Sequence, residues 1–257
     1  MRRREAVVVV LSALMLAACG SGGDGDPAPA TAVTGELTVF AAASLQVPFR
    51  EIEVRFEAEN PGTDVVFDFA GSADLVARLS QGAPADVFAS ADTANMTRAV
   101  DAGLVAGEPV NFAANTLTIV TEPGNPEDVQ TFADLSRPGL DVVVCAPQVP
   151  CGAAAARVED VAGVTLEPVS EESSVTDVLG KVATGQADAG LVYVTDALRA
   201  GDDVTAVPFP ESAAAVNTYP VAVLAEGANP VTAAAFVAYV TGPEGRRILA
   251  EKGFAAP

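Results

Sequence analysis

Histidine and tryptophan are absent from this chain, and cysteine occurs only three times in 257 residues. Without histidine there is no Ser-His or Cys-His pair and no imidazole metal site. No glycine-rich Walker loop or dinucleotide fingerprint is present either. Carboxylates are plentiful, but most fall on polar helix faces and in loops, where solvated surface charge is their ordinary role. The chain is therefore read as a non-enzyme. Positive charge is scarce as well: 14 Lys and Arg stand against 34 Asp and Glu, a formal net charge of −20. Such a balance argues against nucleic acid and against an anionic membrane surface as partners.

The few cations include a cluster at the start. Arg2, Arg3 and Arg4 precede an apolar run, Ala6 to Ala18, which is too short to span a bilayer with ease. It ends in Leu16-Ala17-Ala18-Cys19-Gly20, with small residues ahead of a cut. Residues 1–18 read as a signal peptide. Cys19 at the cut resembles a bacterial lipobox, which implies lipidation of its thiol and anchoring to the outer face of the cell membrane. An ordinary secretory signal with an incidental cysteine is the alternative. Residues 19–35 are rich in Gly, Pro, Ala and Thr and are expected to form a flexible tether. Loss of residues 1–18 removes three Arg and one Glu and leaves the exported part near −22. About 220 residues then remain, enough for one or two domains with a sizeable core. In an oxidising exterior Cys145 and Cys151, six positions apart, favour a local disulfide. A metal pair is the alternative, though no histidine or third thiol lies nearby.

Beyond the tether, strand and helix patterns alternate. Glu36 to Ala42 is β-rich, and Leu45, Phe49, Ile52 and Phe56 then recur at helical spacing. Pro48 falls in the first turn, where a missing N–H costs little. Further strands are predicted over 63–70, 86–90, 116–121, 141–145, 165–169, 189–194, 205–207 and 218–224. Helices are predicted over 72–81, 92–102, 152–161, 174–184, 230–239 and 243–252, with a short one near Phe132. Repeated strand–helix units mean an α/β fold with parallel sheets. Sites in such folds lie at the carboxyl ends of strands, beside helix N-termini.

Two serines occupy positions of that kind. Ser44 ends Phe40-Ala41-Ala42-Ala43-Ser44-Leu45, and Ser72 sits in Ala70-Gly71-Ser72-Ala73-Asp74-Leu75. A hydroxyl beside unpaired backbone N–H groups attracts an anion without a counter-charge. Plain helix caps are the bland alternative for both serines. Asp86 and Asp92 read as structural groups that cap or brace a loop.

Taken together with Pro84-Ala85-Asp86-Val87-Phe88-Ala89-Ser90-Ala91-Asp92, Gly190-Leu191-Val192-Tyr193, Tyr219-Pro220-Val221-Ala222-Val223 and Gly242-Pro243-Glu244-Gly245, these segments resemble the molybdate-binding proteins of bacterial molybdate ABC transporters. The resemblance runs from about Gly35 to Phe254. It implies a two-lobed periplasmic-binding-protein fold of the type II kind, with two parallel or mixed sheets flanked by helices and a two-strand hinge. Lobe one would comprise 36–115 plus 220–257 and lobe two 116–219, with crossings near 115–118 and 217–220. It also implies an oxyanion held by Ser44 and Ser72, by the backbone amides of Cys151 and Val175, and by the Tyr193 hydroxyl. Cys151 departs from the small alanine usual in the family there, but a main-chain contact tolerates the change. Molybdate, with tungstate, is the ligand implied, and sulfate or another tetrahedral oxyanion is the alternative. An ABC permease is the implied partner, the protein would be a monomer, and no cofactor is expected.

Overall fold

The computed structural model describes residues 32–257. The expected signal peptide, Cys19 and most of the expected tether lie outside the described residues. The chain first lays down β1 (Gly35–Ala42), α1 (Gln46–Glu59), β2 (Thr63–Ala70), α2 (Ser72–Ser80), β3 (Val87–Ala89), α3 (Thr93–Asp101) and β4 (Val105–Asn115). Thr116 alone then leads into β5 (Leu117–Thr121), followed by β6 (Val142–Cys145), α4 (Pro150–Ala162), β7 (Ser170–Glu172), α5 (Val175–Ala183), β8 (Ala189–Tyr193), α6 (Val194–Ala200) and β9 (Thr205–Val207). It returns through β10 (Asn217–Leu224) and ends in α7 (Pro230–Thr241) and α8 (Pro243–Glu251).

Two five-stranded sheets result, ordered β2-β1-β3-β10-β4 and β7-β6-β8-β5-β9. Each holds three parallel strands continued by two antiparallel pairings. The pattern is the same in both, so the two halves present the carboxyl ends of their parallel strands in equivalent ways. Helices cover the sheets because their apolar stripes match. On α1, Phe49, Ile52 and Phe56 are buried, and the two phenylalanine rings meet Phe236 of α7 edge-on at 6.1 and 5.3 Å. Burying each such side chain contributes roughly 1.5–3 kcal/mol. Among the described residues, no helix is long and apolar enough to cross a membrane.

Several expectations need correction. The strand β4 has no counterpart in the sequence reading. Gly107, Glu108, Pro109 and Asn111 disguise it, and a sheet edge tolerates such residues. The run 165–169 forms no ladder; the strand in that region is β7, immediately beyond it. Pro168 has no N–H to give, and the Leu166 N–H goes to Glu159 Oε1 at 2.6 Å. The helix α6 follows β8 with no intervening loop. Asn217 already pairs with Asn115 in the first sheet, so the return crossing is complete within 208–216, and residues 217–219 belong to a first-sheet strand. Of the expected tether 19–35, Thr34 is tied to the fold: its N–H donates to Thr232 Oγ1 at 3.2 Å and its carbonyl accepts from Asn229 Nδ2 at 2.6 Å. Gly35 opens β1.

Candidate binding site

Six chain segments converge on one small cavity. From the first sheet come Ala42, Ala43 and Ser44 at the end of β1, Gly71 and Ser72 after β2, and Ala91 after β3. From the second come Val149, Pro150 and Cys151 after β6, Val175 after β7, and Tyr193 at the end of β8. All are carboxyl ends of parallel strands, where a doubly wound sheet opens its crevice. The space available to the centre of a water-sized sphere is about 10 Å³, room for about one water molecule. All five residues singled out in the sequence line this cavity.

Neither serine caps its helix. Ser44 lies within a 3-10 turn, Ala43–Leu45, and Ser72 is the first residue of α2 with Gly71 at the cap. Their oxygens are engaged elsewhere. Ser72 Oγ accepts the Ala91 N–H at 3.0 Å, and Ser44 Oγ lies 3.1 Å from the Tyr219 hydroxyl. The Tyr193 hydroxyl accepts from Asn217 Nδ2 at 2.8 Å. Burial pushes the Tyr193 hydroxyl's pKa well above its ordinary value, and the neighbouring Tyr219, Asp92 and Asp196 push the same way. The phenol therefore keeps its proton and stays a donor. Cys151 and Val175 sit in the first turns of α4 and α5, where an N–H finds no carbonyl of its own helix. The true N-cap of α5 is Ser174, which accepts the Asp177 N–H at 3.3 Å.

A disulfide joins Cys145 and Cys151 across a Cα separation of 5.6 Å. It ties the end of β6 to the first turn of α4. Gly152 fits the same crowded turn: a β-carbon there would stand 2.1 Å from the Ala146 carbonyl oxygen. Asp92 caps α3 through the Asn95 N–H at 2.8 Å. Asp86 binds the Thr38 and Asn229 N–H groups, each at 2.8 Å. Both carboxylates brace the backbone. Asn217 and Tyr219, which the sequence reading missed, supply the partners of Tyr193 and Ser44.

No charged side chain lines the cavity. The site is a set of hydroxyls and main-chain N–H groups at helix starts, each of which carries partial positive charge. A larger space of about 280 Å³ opens on the far side of Ser44. Its cations are committed elsewhere, Lys252 to Glu51 at 2.9 Å and Arg199 to Asp196 at 3.6 Å. Among the described residues no three Cys, Asp or Glu side chains gather into a metal site.

The family model for bacterial extracellular solute-binding proteins matches residues 37–255. The chain belongs to that family. A relative in Mycobacterium tuberculosis H37Rv, the molybdate-binding protein ModA, is 56% identical over 252 residues, which cover 96% of this chain and 97% of that protein. Two solved structures share the fold. The periplasmic molybdate-binding protein of Azotobacter vinelandii matches with a TM-score of 0.76 and 22% identity over 86% of this chain and 99% of that one. The sulfate-binding protein SubI of Mycobacterium tuberculosis matches with a TM-score of 0.76 and 22% identity over 86% of each chain. This is a solute-binding protein and not an enzyme, and its two mixed sheets with flanking helices form the two-lobed fold shared with these periplasmic binding proteins.

Proposed function

We propose that this solute-binding protein captures molybdate, and tungstate with it, in the cavity between its sheets and delivers the ion to an ABC permease. The observation that carries the reading is the donor set: Ser44, Ser72, Tyr193 and the amides of Cys151 and Val175 all line one cavity with no Lys or Arg among them. A tetrahedral dianion needs several donors converging on its oxygens, and neutral donors supply them without a counter-ion. The 56% identical relative named for molybdate binding supports the choice of ion. Donors come from both sheets, so a bound ion stabilises the closed arrangement by contacts that an open one lacks. The closed form is what the permease recognises. The protein acts as a monomer with no resident cofactor, held at the outer face of the cell membrane by lipid on Cys19.

Sulfate is the second reading, because the SubI fold match is as good as that to the Azotobacter protein. Phosphate at neutral pH carries a proton that calls for an acceptor, and no carboxylate lines the cavity. A thermal-shift series with molybdate, tungstate, sulfate and phosphate separates these readings. Molybdate and tungstate should raise the midpoint by several degrees through ligand linkage. A rise with sulfate alone would replace molybdate with sulfate, and no rise with any of the four would remove the oxyanion reading. Substituting Cys19→Ala should release the protein from the membrane.

A further inference from the structure

Asn217 opens β10 opposite Asn115 and is only 2% exposed. Its side chain gathers four polar contacts. The two Nδ2 hydrogens go to the Tyr193 hydroxyl at 2.8 Å and the Ala91 carbonyl at 2.9 Å, and the Pro150 carbonyl at 3.3 Å shares one of them in a three-centre bond. Oδ1 accepts from an Arg157 guanidinium nitrogen at 2.8 Å. This arrangement admits one amide orientation. The two carbonyls can only accept and the guanidinium can only donate, so a flipped amide would leave all three mismatched.

Three of the four contacts end at residues that line the cavity, Tyr193, Ala91 and Pro150. The Tyr193 oxygen accepts on the Asn217 side, which leaves its O–H free for the other side. The Pro150 carbonyl belongs to the same peptide unit as the Cys151 N–H. A bond to that carbonyl fixes the peptide plane and polarises the N–H at its opposite edge. Ala91 holds Asn217 through its carbonyl and donates its N–H to Ser72 Oγ at 3.0 Å. One amide thus connects Ser72 on the first sheet with Cys151 and Tyr193 on the second. Arg157 is the only cation in this network, and it reaches Asn217 rather than the cavity lining.

We propose that Asn217 is a positioning residue for the bound oxyanion: it aims the Tyr193 hydroxyl and the Cys151 amide and ties both to the Ser72 side, while Arg157 locks its orientation. The proposal rests on the oxyanion reading of the same cavity. Direct charge from Arg157 plays no part in it. The role is geometric, so it depends on which donor Asn217 holds and not on bulk electrostatics.

The test is calorimetric titration with sodium molybdate of the unaltered protein and of Asn217→Leu, Asn217→Asp and Arg157→Leu. Asn217→Leu should weaken binding about tenfold to a hundredfold, the span of a lost hydrogen bond acting on a charged partner. Asn217→Asp should lose at least as much, because a carboxylate faces two carbonyls and takes the Tyr193 proton for itself. Arg157 lies on an exposed face of α4, so Arg157→Leu leaves the core intact and should still weaken binding several-fold. In a Tyr193→Phe background, Asn217→Leu should cost less than it does alone, a coupling that a merely structural role does not produce. Molybdate binding by the unaltered protein together with unchanged binding by Arg157→Leu and full additivity of the Asn217 and Tyr193 changes would overturn the proposal. If the Asn217 variants fail to fold, Arg157→Leu decides alone. No molybdate binding by the unaltered protein would remove the underlying reading and this one with it.

Discussion

The carbonyl oxygen of Ser173 lies 2.0 Å from the point where a β-carbon on Gly71 would stand. Gly71 precedes Ser72 on the first sheet, and Ser173 lies two residues before Val175 on the second. The two sides of the cavity meet at the one residue of that loop without a side chain. The Gly71 backbone, at φ −61° and ψ 138°, is open to any residue, so the requirement for glycine here is one of space alone.

Gly71→Ala should therefore separate two effects. The free protein should lose no more than about 1 kcal/mol, since alanine is a poorer helix cap than the Gly71 it replaces while the lower chain entropy at an allowed conformation offsets part of that cost. Closure, however, should be blocked. Molybdate affinity should fall at least about tenfold, the equivalent of about 1.4 kcal/mol, and small-angle scattering should show a molecule that fails to contract on adding the ion. Normal affinity with normal contraction would contradict the close approach.

Ser44→Ala and Ser72→Ala should each cost about 1–3 kcal/mol of binding, the range for hydrogen bonds made to a charge. Ser72→Ala also leaves the Ala91 N–H without its acceptor, so its free form should lose stability as well. Isothermal titration of the two variants checks the first effect, and thermal melts check the second. Unchanged affinity in both variants would remove these serines from the site.

The alternation of strand and helix was legible because apolar residues recur at the spacing of each element, as in Leu45, Phe49, Ile52 and Phe56. The positions of Ser44 and Ser72 at the ends of β1 and β2 follow from the same alternation. Their local chemistry did not: both look like caps, yet Ser72 serves Ala91 and Ser44 serves Tyr219. Asn217 carries no local signal at all, since its four partners lie 24 to 126 positions away in sequence. The strand β4 escaped because an edge strand with Gly107 and Pro109 lacks a clean alternation. The helix α6 escaped because it starts directly at the end of β8 with no side-chain cap.

The Cys145–Cys151 bridge should matter more for stability than for the ion. Replacing both cysteines with serine should cost about 2 kcal/mol, the loop-closure value for so short a ring. The Cys151 contact is made by main chain, so molybdate affinity should stay within about a factor of ten, because the lost bridge costs only loop stiffness. Urea unfolding and a parallel titration measure the two quantities. Abolished binding would show that the bridge, rather than the helix start, sets the amide.

Asp196 gives the fold a pH signature. It is 1% exposed, its Oδ2 has no hydrogen-bond partner, and burial pushes its pKa up to about 6 against the opposing pull of Arg199. The folded protein thus holds this proton more tightly than the unfolded chain does. The resulting stability is complete below about pH 4 and is lost as the pH rises through about 6. At neutral pH the ionised carboxylate costs up to about 3 kcal/mol. Asp196→Asn should raise the unfolding midpoint at pH 7, and the gain should shrink toward zero at pH 4. An equal gain at both pH values would contradict the assignment.

One molybdate ion, held by neutral donors between the two sheets in preference to sulfate, is the central claim. Isothermal titration of the exported protein with sodium molybdate tests this most directly. The predicted result is a single saturable site per chain, displaced by tungstate and not by an about tenfold excess of sulfate or phosphate. Absence of saturable heat, or equal displacement by sulfate, would contradict it.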